Sequence, residues 1–325
     1  MKPFFTRYRS LLFAGLLSIT AGAYADDVAH DWLIKMSHAA RKLNYQGTFV
    51  YQHGNQIEVM RILHSVSDEG VRERLLSLNG ARREIIRDND LVRCYLPDEN
   101  AVMVGHRKAN QKSFPSILPS RLKALDDNYT MILGGVDRIS DRQAQLIAIK
   151  PKDDYRYGYR LWADRETGLL VKTDLVAPDG KLIEQFMFTD VQIGQKIDPQ
   201  DLRPSNAGKD MVWHRDSTSG AIDMHQSRWN LQGAPKGFRQ TAYMRRRMSM
   251  QQQPVEHLVL SDGLAAVSIF IEEIDKKRNS SMSGLNSMGA VHAYTSVLDN
   301  YQIIVVGEVP AKTVSAINSG ISLNR

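Results

Sequence analysis

Few side chains in this 325-residue chain are spaced for catalysis. Its nine histidines are scattered, and His30 and His38 are too far apart to form a one-turn metal pair. There is no His-Glu-x-x-His, Gly-x-Ser-x-Gly, Cys-x-x-Cys, Gly-x-Gly-x-x-Gly or Walker-type phosphate loop. Asp126-Asp127 and Asp153-Asp154 are adjacent acids whose side chains tend to point apart, which suits solvated loops better than a carboxylate dyad. Ser261-Asp262-Gly263 reads as a hairpin turn. The sequence therefore nominates no catalytic residue, metal ligand or cofactor. An exported hydrolase with a convergent site escapes such a scan and stays a rival reading.

Binding chemistry is better represented. Arg245-Arg246-Arg247 is the densest cationic run, and on a strand Arg245 and Arg247 share a face. They are candidates for gripping phosphates or carboxylates, with Tyr243, Met244, Met248 and Met250 adding soft apolar surface. The competing reading is a strand edge charged against aggregation. Arg82-Arg83 with Arg87 is a weaker version of the same pattern. Alternating apolar residues supply a second candidate site, a cavity able to take an acyl chain. They are Phe49 and Tyr51, Met60 and Ile62, Tyr159 and Leu161, and Phe186 and Phe188, with Trp32 and Met36 from a preceding helix. For any one of them an ordinary core position is the favoured reading. The cavity reading rests on many strands sharing few helices, and each buried acyl methylene contributes ~0.8 kcal/mol.

The elements that must position these groups follow from periodicity. Val28–Leu43 is helical, with Ala29, Trp32, Leu33, Met36, Ala40 and Leu43 on one face. Period-two strands follow over Gly47–Gln52, Ile57–His64, Arg72–Leu78, Arg82–Arg87, Leu91–Leu96 and Ala101–Val104. A proline-bearing loop leads to a short helix at Leu118–Leu125. Strands resume at Tyr129–Leu133, Val136–Ile139, Ala144–Lys150, Gly158–Ala163, Leu169–Leu175 and Lys181–Val191, with Gly168 at a left-handed hairpin position. Breaker-rich residues 203–220 suggest a linker. Beyond it lie strands Phe238–Arg247, Val255–Ser261, Ala265–Glu272, Ala290–Leu298 and Tyr301–Glu308, a flexible loop at Asn279–Gly289, and a closing helix at Val309–Ile321. The expected domains are 26–202 and 221–325.

Residues 1–25 read as a secretory signal peptide. Lys2, Arg7 and Arg9 precede the short apolar run Leu11–Ile19, and Ala23-Tyr24-Ala25 is a small-x-small cleavage site. Without those three cations the formal net charge of +6 becomes +3, which does not call for nucleic acid. At 42% hydrophobic and 24% charged residues the composition is globular, neither disordered nor collagen-like. Cys94, the single cysteine, excludes an internal disulfide and reads as a buried small apolar residue.

Tyr45-Gln46-Gly47-Thr48-Phe49-Val50-Tyr51, Met60-Arg61-Ile62 and Gly80-Ala81-Arg82-Arg83-Glu84-Ile85-Ile86-Arg87 resemble the MucB/RseB family. So do Tyr155–Asp164, Gly168-Leu169-Leu170 and Leu182–Phe186, and the likeness spans nearly the whole chain. It implies an α+β protein, with an N-terminal LolA/LolB-like half-open antiparallel β-barrel holding helices and a smaller C-terminal α+β domain. It implies a periplasmic regulator that binds the periplasmic part of a single-pass anti-sigma factor, shields it from the site-1 protease and is released by lipopolysaccharide or another acyl lipid. A periplasmic lipid or lipoprotein carrier is the alternative, and a homo-oligomer is left open. The family has no catalytic motif to carry over.

Overall fold

The computed structural model describes residues 20–106, 118, 122–205, 208, 210–215, 227–247, 254–274 and 283–323. The described residues open with helix α1 (Thr20–Lys42). Strands β1 (Tyr45–His53), β2 (Gln56–Ser67), β3 (Gly70–Ser77), β4 (Glu84–Asp88), β5 (Leu91–Leu96) and β6 (Ala101–His106) follow. After a 3-10 turn at Leu122–Leu125 come β7 (Tyr129–Ile139), β8 (Arg142–Pro151), β9 (Gly158–Asp164), β10 (Leu170–Val176) and β11 (Leu182–Ile193). With β12 (Val212–Arg215) they form one 12-stranded sheet, ordered β12-β6-β5-β4-β3-β2-β1-β11-β10-β9-β8-β7. β11 pairs with β1, which joins the two meanders antiparallel.

The sheet curls without closing. At the β7–β8 hairpin both turn residues are left-handed, Ser140 (φ 48°) and Asp141 (φ 63°), as a type I′ turn requires. The Ser140 hydroxyl donates to the Phe188 carbonyl of β11, so the end of β7 bends back over the sheet. A bulge between Leu133 and Val136 supplies the bend and joins what the sequence reads as two strands into one. Among the described residues β7 and β12 nevertheless remain edges that do not pair with each other.

Helix α1 lies on one part of the curved face. Its Ala29, Leu33 and Met36 pack with Met131, Ile147, Ile149, Tyr159 and Leu161. The i, i+4, i+7 spacing of the helix residues meets strand residues that register places on a single face. Lys35 ties the helix to the β9–β10 hairpin by donating to the Arg165 carbonyl at 2.6 Å. Gly168 there has φ +80°, and a Cβ on it would sit 2.6 Å from Lys35 Cγ, so both the turn and the helix approach need glycine.

The C-terminal sheet is ordered β14-β15-β16-β19-β18-β17. Its strands are β14 (Arg239–Arg247), β15 (Pro254–Ser261), β16 (Ala266–Glu273), β17 (Gly284–Met288), β18 (Val291–Leu298) and β19 (Tyr301–Glu308). Helix α2 (Ala311–Ser319) buries Val314 and Ile317 against it. Strand β13 (Trp229–Leu231) pairs with β20 (Ile321–Leu323), fastening the start of this unit to its end.

Several expectations need correction. The protein is mostly sheet, with less helix than an α+β description implies. α1 begins at Thr20 rather than Val28, and so runs through the expected cleavage point. The helix expected over Leu118–Leu125 is a 3-10 turn at Leu122–Leu125, and residues 119–121 lie outside the described residues. The expected loop at Asn279–Gly289 contains β17, whose Ser- and Asn-rich composition hides a strand held by pairing with β18. The closing helix stops at Ser319, because Gly320 passes the chain into β20. The breaker-rich stretch 203–220 contains β12, which adds to β6 in parallel.

Candidate functional site

The apolar candidates fall into two separate groups. Trp32, Met36, Tyr159 and Leu161 belong to the cluster under α1. Phe49, Met60, Ile62, Phe186 and Phe188 form a second cluster with Trp162 and Val171, against which Tyr51 packs. In the second group the Phe49 and Phe186 rings are 4.8 Å apart, and Phe186 and Phe188 meet edge-on at 5.2 Å. These side chains are buried against one another as core.

The same face looks different farther along the sheet. Registers place Ile62, Leu75, Ile85, Cys94 and Met103 side by side across β2 to β6. Leu75, Ile85 and Cys94 are half-buried, and Met103 is 46% exposed. Ile62 and Leu75 still belong with the second cluster, which the end of α1 enters through Ala39, whereas among the described residues no helix residue shares a cluster with Ile85, Cys94 or Met103. The reverse face of the same strands is backed by the chain after β11, where Ile197 and Leu202 cover Leu63 and Met211 covers Ile86, Tyr95 and Val102. Arg74 holds that segment by donating to Glu84 (2.6 Å), the Asp201 carbonyl (2.8 Å) and Ser205 (2.6 Å). Burial pushes the Cys94 thiol up, with the Arg83 charge opposing, so Cys94 belongs to the apolar row and lacks the character of a reactive thiolate. It is less buried than the sequence suggests.

The arginine run is only partly described. Arg245 is exposed and stands opposite Glu256 across β14–β15. The side chains of Arg246 and Arg247 lie outside the described residues. Glu256 is taken by other groups: Arg228 at 2.6 Å, Trp229 Nε1 at 2.8 Å and the Tyr243 hydroxyl at 2.6 Å. Burial and the hydrogen bond to Glu256 push the Tyr243 phenol up to about 12.

The seam between the two sheets carries residues the sequence did not nominate. Arg156 is fully buried. It donates to Asp262 at 2.7 Å, the Lys236 carbonyl at 2.6 Å and Asp153 at 3.0 Å, and its guanidinium lies over the Phe238 ring at 5.0 Å. Asp262 also accepts from the Tyr129 hydroxyl at 2.8 Å and from the Leu264 and Ala265 amides at 2.8 and 2.6 Å. A buried ion pair becomes tolerable when its remaining donors and acceptors are filled in this way. Gly237 permits the approach, since a Cβ there would meet Asn128 Oδ1 at 2.3 Å. Around this centre Thr313 donates to the Tyr155 carbonyl at 2.6 Å, and Lys312 pairs with Asp154 at 2.9 Å. Leu264 and Ala290 join the cluster under α1, so one core runs through both units. The only sequence signals were the tyrosines flanking Arg156 and the turn motif around Asp262.

Carboxylates gather at one end of the seam. Tyr51 donates to Glu184, and Tyr159 reaches Glu308 at 3.4 Å. Burial and these acids push both phenols well above their ordinary range. Burial, with Glu308 and Glu184 adding to it, brings the Tyr157 phenol to about 12.

This architecture defines a class: an open, helix-plugged β-sheet with a second, mostly β unit sealed onto it. It offers surfaces for binding, and among the described residues no three His, Cys, Asp or Glu side chains are grouped to hold a metal. No described helix is long and apolar enough to cross a membrane.

The particular family follows from comparison. Residues 28–206 match the MucB/RseB N-terminal domain and residues 223–322 the MucB/RseB C-terminal domain, so the chain belongs to the MucB/RseB family. It is 32% identical over 94% of its length, and 94% of the relative's, to the sigma factor AlgU regulatory protein MucB of Pseudomonas aeruginosa. It is 28% identical over 95% of each chain to the sigma-E factor regulatory protein RseB of Escherichia coli K12. Among solved structures it resembles the P. aeruginosa MucA/MucB complex, with TM-score 0.71, 30% identity, 92% of this chain and 99% of that chain covered. A crystal structure of MucB with MucA(peri) gives TM-score 0.70 at 30% identity, covering 91% and 99%.

Proposed function

We propose that this protein is a periplasmic regulatory binding protein for the envelope-stress sigma-factor system. It is exported by a signal peptide removed after Ala25. It binds the periplasmic region of a membrane-spanning anti-sigma factor, keeps the site-1 protease from it, and lets go when lipopolysaccharide or another acyl lipid binds. The observation that carries this reading is the end-to-end likeness to MucB, a protein solved together with MucA. The sealed seam supports it, because a carrier needs only the first domain, whereas here the second is built into the same core. Lipid acts by preferring the free protein to the complex, since only differential affinity shifts the equilibrium.

The alternative, a lipid or lipoprotein carrier, is favoured by one observation: the apolar row Ile85, Cys94 and Met103, which shares no core cluster with a described helix. Mixing the purified protein with the anti-sigma periplasmic region and the site-1 protease tests the main reading. Slowed cleavage that lipopolysaccharide restores is the expected result. Cleavage at an unchanged rate rejects it, and lipid transfer between vesicles under the same conditions favours the carrier.

A further inference from the structure

Among the described residues strand β12 is an edge, and its outer side is set for one more strand. Val212 donates its amide to the Asn100 carbonyl at 2.9 Å, so Val212 and His214 turn their backbone groups toward β6. In a parallel pair alternate residues use opposite sides, which leaves the amides and carbonyls of Trp213 and Arg215 pointing outward. All four β12 residues are exposed, Val212 at 56% and Trp213 at 40%. The strand has no proline, lysine or bulge to blunt it, whereas the opposite edge, β7, is bulged. It is firmly seated: Trp213 packs edge-on against Tyr95 at 6.1 Å and donates Nε1 to the Gly208 carbonyl at 3.0 Å.

The side chains at this edge say what the added strand must carry. Arg215 on β12 itself and Arg93 two strands in on β5 flank Val104 on one face, and neither has an ion-pair partner among the described residues. On the other face Val212 continues from Ala101 and Leu96, and His214 lies beside Met103. An occupant with carboxylates on one face and apolar residues on the other satisfies both. A second copy of this chain would instead bring further arginines to the same rim.

We propose that the outer edge of β12 is a docking site for an extended, acidic segment of a partner polypeptide, which joins the large sheet as a further strand. The inference rests on the anti-sigma reading for the partner's identity, and goes beyond it in naming the surface and the mode of binding.

The test is calorimetric titration at low salt with the purified periplasmic region of the anti-sigma factor. The unaltered protein and the variants Arg215→Ala, Arg215→Pro and Arg93→Glu/Arg215→Glu are compared, with melting curves to verify folding. Arg215→Ala removes the charge, and Arg215→Pro removes the outward amide as well. The double reversal is expected to weaken binding by about tenfold or more, narrowing as salt rises. Arg215→Pro should bind more weakly than Arg215→Ala, and exchange of the Trp213 and Arg215 amides should slow in the complex. Equal affinity across folded variants, with unaltered exchange, overturns the proposal while leaving the anti-sigma reading intact. No binding by the unaltered protein overturns both. Self-association of the protein alone that these variants abolish assigns the edge to a second copy and also overturns it.

Discussion

Two halves of one sheet behave differently. Under α1, the strands β7 to β10 present Met131, Ile147, Tyr159 and Leu161 to a helix and form a sealed core. On β4 to β6 the same face carries Ile85, Cys94 and Met103, which share no core cluster with a described helix. Composition hardly separates the halves, since both alternate apolar and polar residues. The difference lies in what each face meets, and it divides stabilising residues from residues available to a ligand or partner.

That division can be broken most sharply at the seam beside the covered half. Asp262→Ala strands the buried Arg156 charge and should cost about 3–5 kcal/mol, read as a lower denaturant midpoint. If the midpoint hardly moves, the seam is not what holds the two sheets together. Leu161→Ala, at a fully buried position, should cost about 2–5 kcal/mol, whereas Met103→Ala in the open half should stay within about 1 kcal/mol. Equal losses at the two positions would erase the contrast. Met103→Asp should likewise leave the melting temperature nearly unchanged while reducing uptake of an acyl-chain probe, measured by fluorescence titration.

Each half also has an acid-sensitive carboxylate. Desolvation raises Glu73 in the open half, but the His64 hydrogen bond at 2.7 Å and the Arg87 charge outweigh it and hold its carboxyl below the ordinary value. In the covered half desolvation of Asp164 is outweighed by Arg142 and Thr167, which hold its carboxyl below the ordinary value. A lowered carboxylate stabilises the fold fully above its unfolded value and loses that contribution as pH falls through the folded one. Stability should therefore decline on acidification below about pH 4.5, and Glu73→Gln should flatten the upper part of that decline, as pH-resolved melting would reveal. The smallest effect belongs to Arg245→Ala, which should change stability by no more than about 0.5 kcal/mol and weaken anionic-partner binding only at low salt. Salt-independent weakening would count against a charge role.

Much of the large sheet was legible because alternation is a local signal. β5 was readable to the residue, and Gly168 announced its left-handed turn. β17 and β12 were not readable: Gly-Leu-Asn-Ser-Met has little strand propensity and is held by its hairpin partner, while Val-Trp-His-Arg is a four-residue strand inside a breaker-rich stretch and is held by β6, distant in sequence. The residues nominated for a cavity fall into two distinct clusters, a distinction that alternation along the chain does not carry.

The sequence by itself determined the strand-rich composition, the paucity of catalytic motifs, the helix that plugs the sheet and the family likeness, because periodicity and motif order are written along the chain. Only the tertiary structure decided that Arg156 and Asp262, 106 positions apart, are buried partners, that Ile85, Cys94 and Met103 share no core cluster with a described helix, and that breaker-rich residues end the sheet as a parallel edge. Those outcomes depend on desolvation and on pairing between remote segments, and neither has a local signature.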